Sequence, residues 1–298
     1  MRIAAARYRI GMPPGFDAFA EHQRRLLMEA AGAGAQVALL PEYLSLELAA
    51  TFGSAVRGDT LASLAAIQTH RRAWLALFGG LARDTGMTIV AGSFLLDIGK
   101  GRYRNRSDVF MPDGGHAWQD KLQLTAFEKA TGVIEPGDAL KVFDLGGGVR
   151  AGVAICYDVE FPLTVRAQWE AGARLLLVPS CTDSAAGAAR VRVSCLARAL
   201  ENRCFVARSV TWGEARWTPV LDVNIGTAAV MAPMDVGFPP DGVLAESDDE
   251  RVWAMADIDV DALDAARAEA QVDNDRDWPG QTRPALKRAM LASFEPVR

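Results

Sequence analysis

Three residue types in this 298-residue chain stand where they could break a bond: a cysteine, a lysine and two glutamates. Cys156 closes the apolar run VRAGVAIC (149–156). Tyr157-Asp158 follows, then Glu160-Phe161-Pro162, where a helix is expected to begin. A thiol at a sharp strand-to-helix turn is expected to be exposed, with backbone N–H groups placed to hold an oxyanion. The helix N-terminus would favour its thiolate. The competing reading is a buried structural thiol, the usual fate of cysteine. Cys195 and Cys204, in a helix and at a strand start, read as core, and Cys181 in PSCTD stands between the two cases. Glu42 follows Pro41 directly after VALL. A carboxylate at the end of a buried strand is either at the surface or in a site, and partial desolvation would suit it to general-base work. Lys121 stands in QDKLQL, a strand-like run of mixed polarity, where an ammonium could steady an oxyanion or simply be solvated. Glu128, seven residues on, reads equally as a loop carboxylate beside Lys129.

Other chemistries lack their parts. There is no GxSxG, no P-loop and no strand-linked GxGxxG. The three histidines (His22, His70, His116) have neither zinc-site spacing nor a supporting motif, so a nucleophilic cysteine here would need a base other than histidine.

The elements that must position these residues follow from patterning. Ile3–Arg9 reads as a strand, and a helix capped by Asp17 is expected over Ala18–Ala31. VALLPE begins a buried strand at Val37. A long helix is expected from Thr60 to Asp84, ending at Gly86, and MTIVAGSFLL from Met87 reads as one apolar strand. RYRNRSDVFM and HAWQDKLQL flank a Pro-Asp-Gly-Gly hairpin signal, and LKVFDL and VRAGVAIC flank three glycines. A helix follows Pro162, then the strand RLLLVPS, a helix over Ala186–Arg203 and the strand CFVARSV. Short strands (IGTAAVM, GVLAE, VWAMADI) precede an acidic helix expected over Asp259–Gln271. Strands alternating with helices, interrupted by hairpins, describe a mixed sheet covered by helices. AGAGAQVALLPE (31–42) echoes EAGARLLLVPS (170–180). Two related βα halves would put both polar ends at the carboxyl ends of strands, where sites are built.

Composition sets the outer bounds. Half the residues are hydrophobic and 23% are charged, which is ordinary globular usage. The net charge of −5 carries no basic stripe, so no nucleic-acid partner is expected. No apolar run is long enough to span a membrane, and no signal-peptide core is present, so a cytoplasmic protein is expected. Asp257–Trp278 holds eight acids against two arginines, a local charge of −6, without the spacing of a calcium loop.

Taken together, the ordered motifs resemble the nitrilase superfamily of carbon–nitrogen hydrolases. They are Pro41-Glu42, Lys121 near mid-chain, GVAICYD (152–158) with Phe161-Pro162, and ARALENRCFV (197–206). Glu128 fits the second glutamate of many members. The resemblance runs from about residue 3 to residue 257. It implies a four-layer αββα sandwich in a carbon–nitrogen hydrolase domain (1–258), with 259–298 as an acidic helix and tail in the same domain or on a neighbouring subunit. It implies Cys156 as nucleophile, Glu42 as base and Lys121 on the oxyanion with the Tyr157 N–H. Glu128 would position substrate or Lys121. Thr182, Asp183 and Arg190 are expected at the pocket wall, and Trp212 and Trp217 near it. No metal or organic cofactor is required. The substrate implied is a small linear amide, with nitrile and N-carbamoyl compounds as alternatives, and the different-class alternative is a non-catalytic redox or binding protein. Association into a homodimer or larger homo-oligomer is implied, through the helices at Phe161–Ala171 and Ala186–Arg203. Two departures set the pocket apart from the best-known branches. Lys121-Leu-Gln-Leu124 replaces the usual KxHL, and AAGAARVRV replaces an aromatic or His-Trp loop.

Overall fold

The computed structural model describes residues 1–292 and 294. The strands are β1 (Arg2–Arg9), β2 (Val37–Leu39), β3 (Thr88–Val90), β4 (Phe94–Gly99), β5 (Arg102–Phe110), β6 (His116–Asp120), β7 (Val142–Asp144), β8 (Arg150–Val153), β9 (Leu175–Ser180), β10 (Phe205–Glu214), β11 (Val223–Asn224), β12 (Ala229–Met231), β13 (Val243–Glu246) and β14 (Trp253–Asp257). The α-helices are α1 (Phe16–Gly32), α2 (Ser54–Arg57), α3 (Thr60–Ile67), α4 (Arg71–Thr85), α5 (Ala126–Ala130), α6 (Pro162–Glu170), α7 (Ala185–Asn202), α8 (Val260–Ala265) and α9 (Asn274–Asp277). Strand order runs β4-β5-β3-β2-β1-β10-β9-β8-β7.

β1 joins two halves. Its first residues pair in parallel with β2 and antiparallel with β14, and its last three pair in parallel with β10. Because side chains alternate faces along a strand, the two faces of the first half are separable. Ile3, Ala5, Val37, Leu39 and Val90 share one apolar cluster with Ala151, Val153, Leu177 and Val206 of the second half. Ala4, Ala6, Ala38 and Ile89 face the other way, onto Phe19, Leu26, Trp74 and Phe78 of α1 and α4. Val191, Cys195 and Ala199 of α7 cover the outer side of the second half. The layers therefore run helix, sheet, sheet, helix: an αββα sandwich, as expected.

Several local expectations are corrected. Asp17 lies in the first turn of α1, whose N-cap is Gly15 without a side-chain cap bond. The helix expected over Thr60–Asp84 is broken by a 3₁₀ turn at Gln68–His70. There the Gln68 amide donates to the Leu64 and Leu95 carbonyls and accepts the Asp97 N–H, so β4 claims the side chain. MTIVAGSFLL is two strands. Gly92 turns the chain at φ +64°, so close to the Pro41 carbonyl that a Cβ would lie 2.1 Å from its oxygen. The acidic helix is short. α8 passes into a 3₁₀ turn at Ala266–Glu269, and the chain then returns to the body. Arg203 donates to the Leu263 carbonyl and Arg166 to that of Asp275. Arg267 spans Asp264, Asp273 and the buried Asp275.

Candidate active site

Parallel strands β2, β8 and β9 end on one side of the sandwich, and the loops that follow carry the reactive groups. Glu42 follows β2 on a turn shaped by its neighbours. Tyr43 is left-handed at φ +60°, and its N–H is held by Ser93 Oγ at 2.8 Å. Cys156 opens a 3₁₀ turn (Cys156–Glu160) after β8, itself left-handed at φ +49°. A non-glycine residue in that region is strained unless its surroundings hold it. Here the holding group is Asp158, whose carboxylate accepts N–H bonds from Ile155 in its own turn and from Leu122 and Gln123 next to Lys121. One carboxylate thus ties the cysteine turn to the lysine loop. Burial pushes that carboxyl up to about 7. α6 begins only at Pro162, so the N–H groups around Cys156 belong to the 3₁₀ turn.

Lys121 is the first residue past β6 and lies outside the strand. Its ammonium is fully enclosed, 2.8 Å from Glu42 Oε1 and 2.8 Å from Glu128 Oε2. Glu128 is the third residue of α5 and forms a capping box with Thr125, so the sequence alternative of a loop carboxylate paired with Lys129 does not hold. Two groups that sequence reasoning missed complete the network. Asn105 on β5 donates to Glu42 Oε1 at 2.8 Å and Glu128 Oε1 at 3.1 Å, and its carbonyl accepts the Lys121 N–H. The Cys181 N–H, just past β9, donates to Glu42 Oε2 at 3.1 Å. The echo between Pro41-Glu42 and Pro179-Ser180 thus marks two strand ends that meet. A signal for Asn105 was present: in RYRNRS the arginines alternate with Tyr103, Asn105 and Ser107, which must face inward.

The electrostatics follow from burial. Desolvation raises the Glu42 carboxyl, with Lys121 opposing and Glu128 adding to the rise. Desolvation would raise Glu128 too, but the adjacent Lys121 outweighs it and holds the group low. Burial alone would lower Lys121, yet the two carboxylates keep its ammonium firmly charged. Cys156 departs from expectation. It is 5% exposed, and burial followed by the Glu42 charge pushes its thiol well above the ordinary range. Its Sγ lies 3.4 Å from the Cys181 carbonyl, and the Glu42 charge acts on it across the site. A thiol so placed is protonated and needs a base, and Glu42 lines the same cavity.

Glu42, Lys121, Cys156 and Cys181 line a cavity of about 360 Å³, within the size of small-molecule sites. Tyr157, Thr182, Asp183 and Arg190 all line it. Thr182 turns its hydroxyl to the Ile225 carbonyl, and Arg190 faces Glu160 at 3.6 Å. Trp212 and Trp217 are not among the lining residues. Trp212 lies instead under the Arg7 guanidinium at 4.0 Å. Among the described residues no group of three His, Cys, Asp or Glu side chains is placed to hold a metal ion.

This chain is similar to known proteins in sequence and in structure. A family model described as carbon-nitrogen hydrolase matches residues 2–267. The probable hydrolase YhcX of Bacillus subtilis is 29% identical over 91% of this chain, which spans only 52% of that relative's length. Omega-amidase NIT2 of Xenopus tropicalis is 25% identical over 85% of this chain and 87% of its own. Among solved structures, an amidase from Nesterenkonia sp. superposes with a TM-score of 0.67 at 25% identity, covering 93% of this chain and 96% of that one. A structure of a glutamate-to-glutamine mutant of an amidase from Nesterenkonia sp. AN1 shows the result of Michael addition of acrylamide at the active site cysteine.

Proposed function

This chain belongs to the carbon–nitrogen hydrolase family, and on that premise we propose that it hydrolyses a small linear amide through a thioester on Cys156. The supporting observation is the convergence of Glu42, Lys121 and Cys156 on one cavity, with Glu128 buried against Lys121. In this reading Glu42 takes the thiol proton as Sγ attacks the amide carbonyl carbon. The Lys121 ammonium and the Tyr157 N–H stabilise the oxyanion. The C–N bond breaks as Glu42 returns the proton to the leaving nitrogen. Glu42 then deprotonates a water that attacks the thioester, releasing the acid and the Cys156 thiol. Glu128 and Asn105 hold Lys121 and Glu42 in place. A nitrile would be attacked by the same thiol to give a thioimidate, and an N-carbamoyl compound would leave a carbamoyl group on Cys156. A redox-sensor role fits less well, because sensor thiols are accessible and of low pKa, whereas Cys156 is buried and raised. The mechanism needs Cys156 as a free thiol, a state that a reducing compartment such as the cytoplasm maintains.

The test is Glu42→Gln. Its kcat on amides is expected to fall by about 10²–10⁴-fold, the usual worth of a general base. Wild-type kcat/KM should rise with pH through a carboxyl pKa above that of an ordinary glutamate, because only ionised Glu42 accepts the proton and burial raises it. That limb should vanish in the variant. Alkylation of Cys156 by iodoacetamide should meanwhile move to lower pH, since the Glu42 charge that helps raise the thiol is gone. An unchanged pH–rate profile would refute the assignment.

We also propose association into at least a homodimer through α6 and α7. Each presents an apolar side chain to solvent, Leu163 at 72% and Val193 at 63% exposure, which a partner's surface would cover. Residues 259–292 are read as an appendage of the same domain or as packing on a neighbouring subunit. Light scattering at micromolar concentration is expected to give a dimer or larger, and a monomer mass would overturn this.

A further inference from the structure

The walls of the cavity carry a charge pattern that bears on which amide enters. Glu160, Asp183, Arg190 and Asp222 stand among its lining residues, beside apolar Phe127 and Val220. Arg190 is answered by Glu160 at 3.6 Å. Asp183 and Asp222 are exposed and, among the described residues, pair with no base. The base whose charge senses Asp222, Arg216, is engaged by Glu214 at 2.8 Å. At the bottom, the Lys121 charge is already shared between Glu42 and Glu128. Among the described residues, then, each cation lining the cavity has a carboxylate partner, while Asp183 and Asp222 have no base, Asp222 accepting only the Val223 N–H. A substrate carboxylate would find repulsion at the mouth and no partner within, whereas an ammonium would find Asp183 and Asp222.

We propose that Asp183 and Asp222 select amides whose acyl chain ends in a cationic group and reject those ending in a carboxylate. This rests on the amidase reading and names its substrate class. The two aspartates are not a site by themselves. They set the field at the entrance to the cavity that holds Cys156. Exposed charges of this kind act through a screened field, so the selectivity is moderate and sensitive to salt.

Two measurements on the full chain test it. The first is kcat/KM for three amides of similar length: 5-aminopentanamide (cationic), hexanamide (neutral) and glutaramate (anionic). The expected order is cationic, neutral, anionic, with roughly tenfold or more between the ends at about 20 mM salt. That spread should shrink to about two- to threefold at about 300 mM salt, and likewise in the Asp183→Asn, Asp222→Asn double variant. The second needs no turnover. Alkylation rates at Cys156 by 2-bromoethylammonium and by iodoacetate, located by peptide mass mapping and normalised to 2-mercaptoethanol, should show the same cation preference and the same loss in the double variant. A preference for the anion, or a ratio unmoved by salt and by the double variant, overturns the proposal. Hydrolysis of glutaramate in preference to the others would leave the amidase reading intact while refuting this one. Cation-selective alkylation with no hydrolysis of any amide would do the reverse.

Discussion

Cys156→Ala is expected to lower kcat/KM for amide hydrolysis by a factor on the order of 10⁴ or more, because removing the group that forms the covalent bond removes the acyl-enzyme route itself. The substitution should leave the fold intact. Among the described residues the thiol's one hydrogen bond is to the Cys181 carbonyl. Alanine inherits the same left-handed backbone at φ +49°, so the strain is unchanged. Deleting one buried sulfur should cost about 1 kcal/mol, typical of a small core truncation. The expected result is therefore an inactive protein that unfolds within a few degrees of wild type. Intact mass after mixing with substrate should show an acyl adduct on the wild-type protein and none on the variant. Turnover retained by Cys156→Ala would remove Cys156 from the mechanism.

Lys121→Met is expected to damage both stability and rate. The ammonium is 1% exposed and sits 2.8 Å from each of two buried carboxylates. Taking one member from a buried ionic group leaves the others uncompensated, which costs about 3–5 kcal/mol. The pH dependence distinguishes this from a simple packing defect. In the wild type the folded-state pKa of Lys121 is raised, so its stabilisation is fully present below the unfolded lysine pKa and does not vary near neutrality. Glu128 is held low by Lys121, so its contribution is present above the unfolded glutamate pKa and is lost only in acid. Without Lys121 both Glu42 and Glu128 would titrate upward, since burial then acts unopposed. The stability deficit of the variant should grow as pH rises from about 5 to 8 and shrink in acid. Urea unfolding at several pH values reads this directly. A deficit independent of pH would mean that Lys121 acts only as packing. Hydrolysis should fall with it, by the two to three orders of magnitude that a lost oxyanion partner typically costs.

Much of this was legible in the linear chain, for identifiable reasons. Strand and helix runs are short-range patterns, so β1, β2, β9, α1 and α7 appear within a few residues of their expected places. Pro162 starts α6 and the left-handed Gly86 ends α4, as their backbone preferences require. Glu42, Lys121, Glu128 and Cys156 could be singled out because each sits in a distinctive local context. The breaks could not, because side chains from elsewhere make them. Gln68 leaves its helix for β4, and Gly92 yields to the Pro41 carbonyl.

The chain alone carried the order of the motifs, the family they resemble and the candidates for the reactive groups, since these depend on residue type and short spacing. Folding settled their environment. It placed Asn105 between two carboxylates 63 and 23 residues away in the sequence, and Asp158 between two loops. It also made Cys156 a buried, protonated thiol where local pattern pointed to an exposed thiolate. The charge of a group depends on how much water it keeps and which charges stand within a few ångströms. Both are properties of chain segments brought together from afar.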